Sequence, residues 1–175
     1  MESRKTSVIR RLNGNIAAFV VLSLMMSASA YANTHDEIKT QNIHGPWLEQ
    51  KKSKVAVWIE NCGDQLCGHV YWLKKPLNDQ GLPKRDPNNI NPDLRERLLC
   101  GLTLLTGFTP DEENSWHEGK IYNPSNGQTY KSTISLAEDG SLDIRGYVGI
   151  SLFGKTSTWI RPQEQLQSCT EQLSD

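Results

Sequence analysis

The residues able to do chemistry in this chain are few and widely spaced. Its four histidines, His35, His44, His69 and His117, fall in different segments with no His-Glu-x-x-His pair among them, so surface or structural roles suit them best. Gly149-Ile150-Ser151-Leu152-Phe153-Gly154 misses the glycine spacing of a nucleophile elbow, and no glycine-rich phosphate loop precedes a helix. Asp86, Asn88, Asn91 and Asp93 suggest a calcium loop, but an EF-hand requires a glycine where Asn91 stands and a glutamate where Arg97 stands. These side chains read instead as turn formers and caps that bond their own backbone, with an irregular oxygen-ligand site as the alternative. The chain is therefore expected to be non-catalytic, without cofactor or metal. An enzyme assembled from residues distant in sequence ranks last among the readings.

Four cysteines, Cys62, Cys67, Cys100 and Cys169, are the other reactive groups. Cys62 and Cys67 enclose Gly63-Asp64-Gln65-Leu66 between two strand-like runs, where a bridge would cross a short hairpin and leave Cys100 to pair with Cys169. Four cysteines allow three connectivities, and reduced thiols or a metal site are the remaining options, though no second close Cys or His pair supports a metal.

Aromatic side chains at strand positions offer binding rather than catalysis. With an apolar body and, for Tyr and Trp, a polar tip, they suit the lining of a cavity for a small amphipathic molecule, or simply the filling of a small barrel. The expected ligand-lining set is Trp58, Trp72, Trp116, Tyr122, Tyr130, Arg145 and Tyr147. Arg145 sits among Leu142, Ile144 and Tyr147. Strict alternation places it opposite Leu142 and Ile144, hence outward unless a bulge intervenes; inward, it would receive a ligand carboxylate or phosphate beside Tyr122 or Tyr130.

The elements that must position these residues are strands. Asn126-Gly127 and Asp139-Gly140 are strong hairpin dipeptides, and Gln128, Tyr130, Ser132, Ile134 and Leu136 alternate with Thr129, Lys131, Thr133 and Ser135 between them. Beyond the second turn Leu142, Ile144 and Gly146 alternate with Asp143, Arg145 and Tyr147. Further strand-like runs start at Gly45-Pro46-Trp47 and cover 54–61, 66–74, 102–109, 115–122 and 156–161, about eight strands in all. The interval 75–97, crowded with Pro, Asn, Asp and Gly, interrupts them, with Asn91-Pro92 marking one or two helical turns. Short spacings and no long amphipathic helix predict an all-β fold, an eight-stranded antiparallel up-and-down β-barrel with one long loop or short helix.

The N-terminus reads as an address. Arg4, Lys5, Arg10 and Arg11 precede an apolar run at 16–26, and Ala28-Ser29-Ala30 or Ala30-Tyr31-Ala32 offers a cleavage site, so residues 1–32 are expected to be a Sec-type signal peptide and 33–175 a single domain, periplasmic or secreted. All four cysteines lie in the part that would reach an oxidising compartment. Cleavage after Ala32 leaves 15 Lys and Arg against 19 Asp and Glu. That acidic balance, with charges interspersed along the sequence, argues against a nucleic-acid or anionic-membrane partner and predicts no stable membrane insertion after cleavage.

Gly45-x-Trp47, Cys62-Gly63 and Cys67-Gly68, Asp86-Pro87-x-Asn89, Gly101-Leu102, Gly119-Lys120-Ile121-Tyr122-x-Pro124, Gly127-x-x-Tyr130, Arg145-Gly146-Tyr147 and Leu152-Phe153-Gly154-x-Thr156-x-x-Trp159-x-Arg161 together resemble an uncharacterised family of exported bacterial proteins, a domain of unknown function. The resemblance implies a fold similar to lipocalins and fatty-acid-binding proteins, in which the Trp of Gly-x-Trp packs under an Arg at the end of the last strand; Trp47 and Arg161 match those positions. The expected function is an exported lipocalin-like protein that binds a small hydrophobic or amphipathic molecule in the barrel. The alternative is an envelope interaction module with a packed barrel, no ligand and a protein partner.

Overall fold

The computed structural model describes residues 43–112 and 114–174; the expected signal peptide, 1–32, and the polar lead after it, 33–41, lie outside the described residues. Eight strands follow one another: β1 (Gly45–Glu49), β2 (Val55–Cys62), β3 (Gln65–Leu73), β4 (Thr103–Pro110), β5 (Ser115–Asn123), β6 (Gln128–Leu136), β7 (Leu142–Tyr147) and β8 (Lys155–Ile160). Each pairs antiparallel with the next, and β1 closes on β8 through Leu48↔Ile160 and Glu49↔Trp159, so the sheet is a closed barrel with no free edge. The strand count, order and class are those expected from the period-two pattern.

An up-and-down barrel has two distinct ends. The chain enters β1 and leaves β8 at one end, which also carries the connections at 63–64, 111–114 and 137–141. The opposite end carries those at 50–54, 74–102, 124–127 and 148–154. At the entry end the Trp47 indole donates from Nε1 to the Ile43 carbonyl at 2.7 Å, and the Arg161 guanidinium lies 3.9 Å over the Trp47 ring while donating to the Pro46 carbonyl at 3.1 Å. Ile43, Trp47, Ile59, Leu66, Phe108, Trp116, Ile134 and Leu142 are all buried. We call this the closed end.

Interior packing bends the strands where it must. At β5 the pairing shifts between Trp116 and Gly119, and Glu118 takes a positive φ of 60°, re-aiming the strand so that Gly119 faces inward. The Phe108 ring then occupies the place a side chain would take: a Cβ on Gly119 would lie 2.2 Å from it. Both disulfides, Cys62–Cys67 and Cys100–Cys169, are present. The first staples the β2–β3 hairpin. The second holds the C-terminal tail, which returns along the outside of β3: Tyr71 donates to the Leu166 carbonyl, and the Gln172 side chain exchanges two bonds with the Leu73 backbone. The tail ends in a single helical turn, α1 (Cys169–Gln172), with a reciprocal capping box between Ser168 and Glu171.

Candidate functional site

Strand register decides which side chains enter the barrel. Gly119, Ile121 and Asn123 of β5 pair with Ser132, Tyr130 and Gln128 of β6, and Ser132 and Ile134 pair in turn with Gly146 and Ile144 of β7. Ile144 and Gly146 oppose Ser157 and Lys155 of β8. These residues share the inner face with Val55, Val57 and Ile59 of β2, and they change character along the axis. Towards the closed end they are large and fully buried. Towards the open end Val55, Leu73, Ile121, Tyr130, Gly146 and Ser157 are half-buried, while Gln128 and Lys155 at the rim are exposed. Ile121 reaches across to Gly146, where a Cβ would meet its methyl at 3.2 Å. The inner face thus grades from a filled base to half-buried apolar and hydroxyl side chains towards the open end.

The seven sequence-predicted ligand residues do not share one cavity. Trp116 and Tyr130 lie on the inner face: Trp116 is buried near the closed end, its indole N–H without a hydrogen-bond partner among the described residues, and Tyr130 receives a bond from Asn126 at 2.8 Å in the open half. Trp58 and Trp72 lie on the outer face, Trp58 packed 5.1 Å from Tyr71 and Trp72 opposite buried Ala56. Tyr147 pairs with Lys131, also outward. Arg145 obeys the alternation and points out, opposite Thr156. There it donates to Thr156 Oγ1 at 2.9 Å, to the Ser151 carbonyl at 2.9 Å, to Ser151 Oγ at 3.2 Å and to the Leu152 carbonyl at 3.2 Å, so it organises the β7–β8 loop.

Tyr122 points outward too, into a polar cluster that the long loop folds against the barrel wall. Asp86 is fully buried. Its carboxylate accepts from the Tyr122 hydroxyl at 2.7 and 2.8 Å, from Asn89 Nδ2 at 2.9 Å, and from Arg97 through Nε at 2.9 Å and Nη2 at 2.8 Å. Arg97 also stacks 4.9 Å from the Tyr122 ring centre. Burial by itself would raise the Asp86 carboxyl, but the donors from Asn89, Tyr122 and Arg97 together with the Arg97 charge outweigh it and hold the group below its ordinary value. Burial, then the bond to Asp86, push Tyr122 up, so it stays a protonated donor.

The loop is fastened further by Asn88, whose amide donates to the Pro124 and Ser125 carbonyls, and by Gly127, where a Cβ would come within 1.8 Å of the Asn88 carbonyl. Asn91 caps a short 3₁₀ turn, Pro92–Leu94, by accepting from the Asp93 N–H. Beside this clasp lies an open cleft of about 380 Å³ against the outer wall, lined in part by Ile90, Leu94, Arg97, Leu104, Tyr122 and Thr129. The Asp86 carboxylate, clasped by neutral and cationic donors, fastens the long loop to the barrel wall. The Asp86-Pro87-x-Asn89 spacing and the Tyr122 position were visible in the sequence, but their meeting with Arg97 was not, because it depends on how a long loop folds back onto a strand.

The family model that matches the chain, over residues 45–161, is DUF2147, described as an uncharacterized protein conserved in bacteria. Among solved structures the chain is similar to HP1028 from the human pathogen Helicobacter pylori, described as belonging to the lipocalin family. The identity is 25%, the TM-score 0.60, and the match covers 70% of this chain and 84% of that one. No curated protein matches the chain. The matched segment begins on the first residue of β1, ends one residue past β8 and takes in the Asp86 clasp, and the chain belongs to the DUF2147 family of bacterial proteins.

Proposed function

We propose that the protein is an exported carrier or receptor that takes a small amphipathic molecule at the open end of its barrel. The observation that carries this reading is the gradation of the inner face, from buried aromatics at the closed end to half-buried Val55, Leu73, Ile121, Tyr130 and Ser157 at the mouth. A few apolar side chains with convergent hydroxyls are what a small-molecule site needs, and the mouth of a β-barrel is a usual place for one. Lys155 on the same face supplies a cation for a carboxylate or phosphate head, the role that an inward Arg145 would have filled. The likeness to a lipocalin-family structure supports the reading at the level of fold, a weaker warrant than the site. The two disulfides are compatible with export.

Native mass spectrometry of protein taken from its producing cell tests this, together with titration of a fluorescent fatty acid. The expected result is a bound mass below about 1 kDa, or saturable probe binding, weakened at least tenfold by Ser157→Phe at unchanged melting temperature. Empty spectra together with no probe binding overturn it.

A further inference from the structure

The connection from β7 to β8 carries four apolar side chains that nothing among the described residues covers: Val148, Ile150, Leu152 and Phe153 are 74%, 60%, 75% and 80% exposed. They are held out rather than loosely displayed. Ser151–Phe153 form a 3₁₀ turn closed by Gly154 N–H to the Ser151 carbonyl at 2.9 Å, and the Arg145 guanidinium gathers the Ser151 and Leu152 carbonyls and the Thr156 hydroxyl beneath it. With its carbonyls satisfied from below, the loop presents apolar side chains outward at the open end. An exposed apolar group of this size in a soluble domain marks a contact surface.

Charge identifies what it contacts. Although the chain is acidic in sum, its charges are sorted along the barrel axis. The open end carries exposed Lys51, Lys52, Lys54, Lys74, Lys75 and Lys155. They form one rim beside the apolar loop: the 50–54 turn bonds β8 through Gln50 N–H to the Thr158 carbonyl, and Lys74 N–H bonds the Lys54 carbonyl. Of the acids at that end, Glu49 accepts from the Lys51 and Lys52 backbone N–H groups, Glu96 lies 3.5 Å from Arg85, Asp79 and Asp93 belong to the long loop, and Glu171 caps the tail helix. The closed end is the reverse, with exposed Glu60, Asp64, Asp111, Glu112, Glu138 and Asp139 and no lysine among the described residues. An apolar tip beside an arc of lysines is the pattern of a peripheral membrane contact, in which side chains enter the acyl boundary and cations meet anionic headgroups. A protein partner would need a shaped pocket and roughly 800 Å² of its surface, whereas a lipid surface accepts a narrow tip of any shape.

We infer that the open end docks on an anionic lipid surface, with Ile150, Leu152 and Phe153 entering the interface and the lysines of 50–54 and 74–75 holding the headgroups. The inference rests on exposure and charge placement alone, so it stands or falls separately from binding inside the barrel.

Vesicle co-sedimentation tests it, using the chain as its cell processes it and vesicles of phosphatidylethanolamine and phosphatidylglycerol at 3:1, against pure phosphatidylcholine. The parent should partition to the anionic vesicles and release as salt rises. Leu152→Ser with Phe153→Ser should lower the partition at least tenfold, and Lys51→Gln with Lys52→Gln should lower the preference for the anionic surface about tenfold, both at unchanged melting temperature because all four positions are exposed. Equal binding by parent and loop variant, equal binding to both vesicle types, or no binding by the parent overturns the inference. So does concentration-dependent dimerisation that the loop variant removes, since the tip would then be covered by a second copy.

Discussion

Asp86→Asn is the most incisive single change, because it keeps the shape of the buried clasp and removes only its charge. In the parent, one oxygen accepts from Asn89, from Tyr122 and twice from Arg97, and the other accepts from Tyr122 alone. The amide nitrogen of asparagine therefore takes the second position, Tyr122 turns to donate to the first, and the four-bond geometry is retained. What disappears is the charge opposite Arg97. Breaking a fully buried pair costs about 3–5 kcal/mol; the Arg97 side chain is 33% exposed and regains some hydration, so about 2–3 kcal/mol is expected here. At roughly 3 °C per kcal/mol for a domain of this size, the melting temperature should fall by about 6–9 °C.

The pH dependence gives a second readout of the same bond. The folded Asp86 pKa lies below its ordinary value. Its contribution is therefore complete above the unfolded value of about 3.9, and is lost as pH falls through the lower folded value. The stability gap between parent and Asp86→Asn, from urea unfolding followed by circular dichroism, should be flat from pH 8 to 5 and close below about pH 4. Taking the difference between two proteins cancels the other carboxylates. A gap under about 1 kcal/mol at pH 7, or one equally wide at pH 3, would refute the clasp as a charged fastening.

Two further outcomes concern the ends of the barrel. Trp47→Ala removes a buried ring together with its stacking on Arg161, and should cost about 3–5 kcal/mol, while Arg161→Lys keeps the charge, loses the planar stack and should cost about 1 kcal/mol, both read by thermal melting. Removing Cys100–Cys169 with paired serines should cost about 4 kcal/mol, since it spans 69 residues, against about 2 kcal/mol for Cys62–Cys67, which spans 5; the opposite order in denaturant titrations would reject loop closure as the source.

The barrel was legible in the sequence because strand alternation is a local signal and repeats eight times. Arg145 shows how far that signal reaches. Its outward side followed from Leu142 and Ile144 alone, yet its bonds to Ser151 and Leu152 depend on a loop whose path no periodicity encodes. Trp58 and Trp72 illustrate the opposite difficulty. Aromatics on the outer wall look from sequence like cavity lining, and only the tail passing over Tyr71 explains how that wall is sheltered. Asp86 read as a turn former, as its neighbours Asn88 and Asn91 partly are, but its four donors come from residues up to 36 positions away. Charge was the least legible property. Lysines and acids alternate irregularly along the chain, and they separate into two ends only when an up-and-down topology sends alternate connections to opposite poles.

The Cys100–Cys169 bond makes the molecule a ring with a tail rather than a line. β4 to β8, five of the eight strands, lie inside a covalent circle, and β1 to β3 with the long loop hang from it at one point. A single backbone cut anywhere in the circle, at the hairpin turns or in the apolar β7–β8 connection, opens the ring but releases no fragment. The nicked barrel keeps every strand tethered to its partners, and an exposed tip can be clipped by a protease without the molecule coming apart.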